Sequence, residues 1–134
     1  MTDSIPHPLP RVLIIEDEPD SALSWQTLLR LRGYDVRCAF DGANGLALAA
    51  QFDPHFILLD IGLPLVNGRD VARHLRLNSE GARRFIVATT GTPQGPGDHT
   101  SFDAHLLKPI AADELLALLS NAWNAHFEGT LHCY

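Results

Sequence analysis

The chain predicts an α/β domain, a doubly wound three-layer sandwich on a five-stranded parallel sheet. Five short apolar runs recur along it, with helical stretches between most of them. The central run, Phe56-Ile57-Leu58-Leu59-Asp60, is continuously apolar before its aspartate, as a strand buried on both faces of a parallel sheet is. Right-handed crossovers between parallel strands then put all five strand ends on one edge.

Taken in order, Val12 to Ile15 is the first strand and runs into the acidic turn Glu16-Asp17-Glu18-Pro19-Asp20. Asp20 or Ser21 is expected to cap the helix that follows, in which Ala22, Trp25, Leu28 and Leu29 recur at helical spacing until Gly33 stops it. Asp35 to Phe40 is a weaker second strand, and Ala43 to Gln51 a short alanine-rich helix ended by Asp53-Pro54. The Asp60 strand comes next and is closed by Gly62 and Pro64. After Asn67-Gly68 a helix is predicted over Arg69 to Leu77, with Val71, Ala72 and Leu75 on its apolar side. Phe85 to Thr89 is the fourth strand, His105 to Leu107 the fifth, and Ala112 to about Ala125 the last helix.

Composition bounds the rest. A chain of 134 residues, 46% hydrophobic, is one ordinary domain able to enclose a single core. Residues 1–10, where four positions are proline or serine, read as a flexible lead-in, 11–127 as the domain and 128–134 as a tail too short for an output domain. The net charge of −6 argues against nucleic acid or an anionic membrane as main partner. Two cysteines, Cys38 and Cys133, make neither a ligand cluster nor a disulfide framework, so reduced cytoplasm is the simplest location and Cys38 reads as a small core residue. No signal peptide or membrane span is apparent.

The strand ends carry the chemistry. Glu16 and Asp17 follow the first strand, Asp60 ends the third, Thr90 the fourth and Lys108 the fifth. Close carboxylates repel unless a cation sits among them. A hard divalent ion fits Glu16, Asp17 and Asp60 with a backbone carbonyl near Gly62, and magnesium is the expected occupant. Asp60 is then a candidate nucleophile toward a phosphoryl group, with Lys108 neutralising charge and Thr90 donating a hydrogen bond. Each residue also has a bland local role, as turn acid, strand cap or solvated charge. Their joint placement at four strand ends is what favours the chemical reading.

In these residues the chain resembles the receiver domain of two-component response regulators, from Arg11 to about Phe127. The matching motifs are Ile15-Glu16-Asp17-Glu18, Leu58 through Pro64, Asn67-Gly68, Ala88-Thr89-Thr90-Gly91 and Phe102 through Pro109. The resemblance implies the flavodoxin-like strand order 2-1-3-4-5. It also implies Asp60 as phospho-acceptor, Glu16 and Asp17 as metal-binding acids, Thr90 as switch hydroxyl and Lys108 as the phosphate-contacting lysine. The implied donor is a sensor histidine kinase or a histidine phosphotransfer protein, and the implied output is a change of contacts with a downstream protein.

Two departures stand out. His105 takes the position of the aromatic ring that moves with the threonine in the family, so a pH-sensitive switch and a histidine with no signalling part are both open. Between the fourth and fifth strands the family has a helix, but Gly91 to Ser101 holds two prolines, three glycines and no apolar period. A Pro/Gly-rich loop is expected in its place; the 14 residues from Gly91 to Ala104, at about 3.3 Å each, can make the crossover extended.

The last helix carries two apolar stripes, Leu115-Leu118-Ala122 and Leu116-Leu119-Trp123. Packing on a sheet needs only one. The second is either an interface, for a homodimer through the fifth strand and last helix or for a partner domain, or is buried by the loop around Phe102. Arg69, Arg73 and Arg76, near Arg83 and Arg84, read as a solvated face, and the seven histidines have no metal-ligand spacing.

A phosphoryl-accepting switch is therefore expected. The alternatives are a degenerate, phosphorylation-independent binding module and an aspartate-based phosphatase. The intact acid, hydroxyl and lysine set argues against the first. Against the second stands Gly62, where a leaving-group acid belongs; with small Thr92 it implies slow self-dephosphorylation rather than turnover.

Overall fold

The computed structural model describes residues 9–62, 68–77, 84–91 and 102–127. Five parallel strands, β1 (Arg11–Ile15), β2 (Asp35–Ala39), β3 (Phe56–Asp60), β4 (Phe85–Thr90) and β5 (Ala104–Leu107), form one sheet in the order β2-β1-β3-β4-β5. Four helices are described: α1 (Pro19–Leu31), α2 (Gly42–Phe52), α3 (Gly68–Leu77) and α4 (Ala112–His126). The expected loop over 92–101 and the two chain ends, 1–8 and 128–134, lie outside the described residues.

Strand alternation sorts the core into two layers. Leu13, Ile15, Ile57, Leu59, Ile86 and Ala88 face α2 and α3. Val12, Ile14, Phe56, Leu58 and Val87 face α1 and α4. The central strands β3 and β4 are buried at every position, as their unbroken apolar runs require.

Local corrections follow from backbone chemistry. Helix α1 starts at Pro19 with Glu18 as its cap residue, not at Asp20 or Ser21, because proline fits the first helical position, where its missing N–H costs nothing. Asp41 caps α2, its carboxylate accepting the Asn44 N–H at 2.7 Å, so that helix begins at Gly42. Asp53 ends α2 in the left-handed region, φ 50°. Cys38 is half-buried, its thiol within 3.3 Å of the Gln26 amide oxygen.

The basic face is not simply solvated. Arg84 is buried and reaches Ala49 O at 3.4 Å and Asp53 Oδ1 at 3.5 Å, a cation at the carbonyl end of α2. Arg76 pairs with Asp103 and donates to Arg84 O at 2.8 Å, while Asp103 accepts the Ile86 N–H at 2.8 Å. Together these contacts fasten the end of α3 to the chain entering β5. Arg73 pairs at the surface with Asp70.

Helix α4 divides differently from the two stripes drawn from its sequence. Its buried line is Leu115, Leu119 and Ala122, taken from both stripes, with Leu116, Leu118 and Trp123 half-buried against the same layer. Phe102 covers none of them, since it packs in the opposite layer.

At the end of the sheet away from the strand termini, the His55 ring stands edge-on to Trp123 and Phe127 at 5.0 and 5.2 Å. Its Nδ1 accepts the Arg11 N–H at 3.0 Å. Burial, with the nearby Arg11 charge, lowers its pKa, so the folded state keeps it neutral. Its stabilising contribution is whole above the unfolded value near 6.5 and is lost as pH falls through the depressed folded value. Melting curves between pH 7 and 5 are expected to show a loss of Tm that is smaller in His55→Gln, which keeps an acceptor without titrating there. A second expectation concerns Gly45, where an added Cβ would meet Ile15 Cδ1 at 2.5 Å and Cγ1 at 2.9 Å. Denaturant titration should find Gly45→Ala less stable by about 1–3 kcal/mol, with Ile15→Val restoring part of the loss in the double variant.

Candidate functional site

The C-terminal edge of the sheet gathers the polar residues. Asp60 is the last residue of β3, opposite Thr89 in β4, and is 7% exposed. Glu16 lies one residue beyond β1 and is equally buried; its N–H donates to Ala39 O at 3.0 Å, which extends the β1–β2 ladder past the strand. Lys108 is fixed in the same way on the far side, its N–H donating to Thr90 O at 2.7 Å. From that anchor its side chain crosses β4 and reaches both acids.

The Lys108 ammonium donates to Glu16 Oε1 at 2.9 Å and to Asp60 Oδ2 at 3.2 Å. Backbone donors hold the other oxygens: Glu18 N–H on Glu16 Oε2 at 3.1 Å, and Gly62 N–H on Asp60 Oδ1 at 2.8 Å. Asp17 is exposed and makes no hydrogen bond or ion pair to another described residue. One carboxylate oxygen from each of Glu16, Asp17 and Asp60 lies within 4.8 Å of the others.

Burial raises the Glu16 pKa, and the charge of Asp60 adds to the rise, against the opposing hydrogen bond from Lys108. On Lys108 burial acts to lower the pKa, but the hydrogen bond with Glu16 and the charge of Asp60 outweigh it, and the net shift is upward. The lysine is thereby held as a cation. Three carboxylates against one ammonium leave an excess of negative charge in a partly desolvated pocket. A hard divalent cation with oxygen ligands fits such a donor set.

Thr90 ends β4 and is 8% exposed. It lies two residues beyond Ala88, on the sheet face that Ala88 shares with its β5 partner His105. The His105 ring is half-buried, 5.3 Å from Phe102. Thr90 and His105 therefore share one face on neighbouring strands. Gly62 is beside Asp60 through its N–H, and Gly62, Glu16, Asp17, Asp60, Thr90 and Lys108 all fall on the same edge.

Some neighbours were not singled out in the sequence. The Glu18 N–H that holds Glu16 is a backbone group with no side-chain signal. Thr89 has no site role in the sequence reading, and period-two alternation turns it to the face opposite Thr90, into a cleft with Ser21 and Trp25. That alternation was the available signal.

Comparison with known proteins agrees with this edge. The response regulator receiver domain family matches residues 12–120. The DNA-binding dual master transcriptional regulator RpaA of Synechocystis sp. is 37% identical over 113 residues, covering 81% of this chain and 47% of that protein. The transcriptional regulatory protein CusR of Escherichia coli is 38% identical over 109 residues, 80% of this chain and 48% of its own length. The chain thus spans about half the length of these curated relatives. A solved receiver domain from Methylobacillus flagellatus superposes with a TM-score of 0.78 at 25% identity, over 84% of this chain and 98% of that one. The Thermotoga maritima protein TrrA, solved in complex with magnesium and BeF, superposes with a TM-score of 0.75 at 24% identity, over 84% and 98%. By sequence and by fold, the chain belongs to the response regulator receiver domain family.

Proposed function

We propose that this domain accepts a phosphoryl group on Asp60 in two-component signalling and answers by changing its protein contacts. The observation that carries the proposal is the Lys108 ammonium shared between Asp60 and Glu16, with Asp17 beside them. In this reading an Asp60 carboxylate oxygen attacks the phosphorus of a phosphohistidine. The new O–P bond forms as the P–N bond breaks, and the electron pair leaves with the donor imidazole. Lys108 offsets the charge spread over the transferring oxygens, and the Thr90 hydroxyl donates to one of them. Glu16, Asp17, Asp60 and the Gly62 carbonyl would hold magnesium. When bound, that ion supplies charge neutralisation for the transferring group.

The donor would be a sensor histidine kinase or a histidine phosphotransfer protein. The solved complex of the Thermotoga kinase ThkA with TrrA is a precedent of that kind. The domain acts once per donor and is a signalling module rather than a turnover enzyme. The reading assigns it to the cytoplasm; among the described residues no helix is long and apolar enough to cross a membrane. Thr90 and His105, on one face, would form the switch. DNA binding is named for the relatives, proteins about twice this length, and is not carried over.

Leu107, 48% exposed on the edge strand β5, with half-buried Leu116 and Leu118 on α4, supports a homodimer through β5 and α4. Sedimentation velocity with magnesium and beryllofluoride should detect a shift toward dimer that Leu107→Glu removes. A clean monomer in both states would end the dimer reading.

Mass spectrometry after incubation with acetyl phosphate and magnesium tests the acceptor itself. Wild type should gain one phosphoryl adduct, and Asp60→Asn or added EDTA should prevent it. With glycine at position 62 and no acid there to orient water, the adduct should decay over minutes or longer. Absence of any adduct would leave the phosphorylation-independent module standing.

A further inference from the structure

Where the strands enter the sheet, one side chain completes the ladder. His55 stands one residue before β3 and Arg11 opens β1, and the two exchange a pair of hydrogen bonds. The His55 N–H donates to Arg11 O at 3.0 Å, and the Arg11 N–H donates to His55 Nδ1 at 3.0 Å. The His55 carbonyl in turn accepts the Phe85 N–H at 2.8 Å, which ties in the entry of β4. An imidazole nitrogen that accepts from a backbone N–H carries no proton, so this contact specifies the neutral ring, protonated on Nε2.

The same ring seats the end of α4. It lies edge-on to Trp123 and Phe127, which stack on each other at 5.2 Å, and Phe56 meets these two at 6.3 and 5.5 Å. One imidazole thus joins the entries of β1, β3 and β4 to the last turn of α4. Around it stand Arg11, whose guanidinium donates to Asp53 O at 2.9 Å, and Asp53 at the end of α2, with Arg84 beyond it. His126 of α4 packs on Phe85 at 5.3 Å, and Tyr34 packs on Phe56.

Protonation puts a donor where the Arg11 N–H needs an acceptor, so two donors face each other in a partly buried site. The ring faces of Trp123 and Phe127 attract a cation, but they supply no acceptor for that N–H. Burial first, and then the Arg11 charge, hold the ring below its ordinary pKa against the pull of Asp53, in keeping with this polarity. We propose that His55 is an acid-released latch: a proton on its ring unseats Trp123 and Phe127 and loosens the last turn of α4 while the sheet stays folded. Opening takes up one proton, so its population rises by up to about tenfold per pH unit between the free imidazole value of 6.5 and the lower folded value, then levels off. Asp60 lies at the other end of β3, so the latch stands independently of phosphoryl acceptance.

An NMR titration of the full chain from pH 7 to about 4.5 tests the latch. The His55 ring should titrate with a midpoint below 6.5, and the Trp123 indole and Phe127 ring resonances should move with that midpoint. The heteronuclear NOE of Asn124 to Phe127 should fall over the same range, while the amides of Ile57 to Leu59 in β3 keep their positions. His55→Gln, which accepts a hydrogen bond without titrating there, should lose the transition, and His126→Gln should keep it. His55→Phe, a ring that cannot titrate, serves if the glutamine variant does not fold. Trp123 and Phe127 unmoved through the His55 titration, or a midpoint at or above 6.5, would overturn the proposal. So would a transition that persists without His55 or vanishes without His126, or loss of the β3 amides together with those of α4.

Discussion

The reach of one lysine governs this edge of the molecule. Lys108 lies beyond the last strand, and the acids it touches lie at the ends of β3 and β1, two and three strands away in the sheet. No local preference brings them together, because the contacts span 92 and 48 residues of chain. What does so is the parallel register: each strand delivers its last residue to the same level, and backbone hydrogen bonds from Glu16 and Lys108 carry the ladder one step further. A slip of one residue in any strand would turn its end group to the other sheet face.

That register rests on the two packed layers. Ile15 fills the space beneath Gly45 so closely that α2 lies nearly on the sheet, and Arg84 ties the carbonyl end of the same helix to β4. On the other side Leu115 and Leu119 seat α4, which holds the chain just after Lys108 and Pro109. The buried arginine is an uncomfortable residue, with Nε left without a hydrogen bond, and its two contacts are long. Its position at a helix C-terminus offers the electrostatic reason for tolerating it.

Much of this was legible beforehand, and unevenly. The apolar runs of β3 and β4 and the caps around them announced a parallel sheet, because a strand covered on both faces has no polar side to show. The rim acids, Thr90 and Lys108 were legible because each ends a strand, and the fold does the rest. What the sequence hid were contacts made by chain segments far apart. Arg84 reads as a surface charge until Asp53 and Ala49 are seen beside it. Leu118 and Leu119 divide wrongly between stripes because a helix on a twisted sheet buries one line of residues and half-covers its neighbours. The proline at position 19 signalled the true start of α1, but Asp20 and Ser21 after it looked equally like caps.

Glu16 joins stability to function. Burial beside Asp60 raises its pKa, so at neutral pH the ionised side chain is less comfortable in the fold than in the unfolded chain, even with Lys108 at 2.9 Å. The sign is fixed: a carboxylate with a raised folded pKa costs folding free energy above that pKa, and the cost disappears as it protonates. A cation that binds the folded edge but not the unfolded chain offsets the cost by mass action. Under the proposed reading, part of a cation's affinity for this edge would be relief of the cost that burial places on the ionised Glu16 side chain. Replacing Glu16 by an uncharged residue would ease the fold, and under the proposed reading it would also remove part of the reason for a cation to bind there.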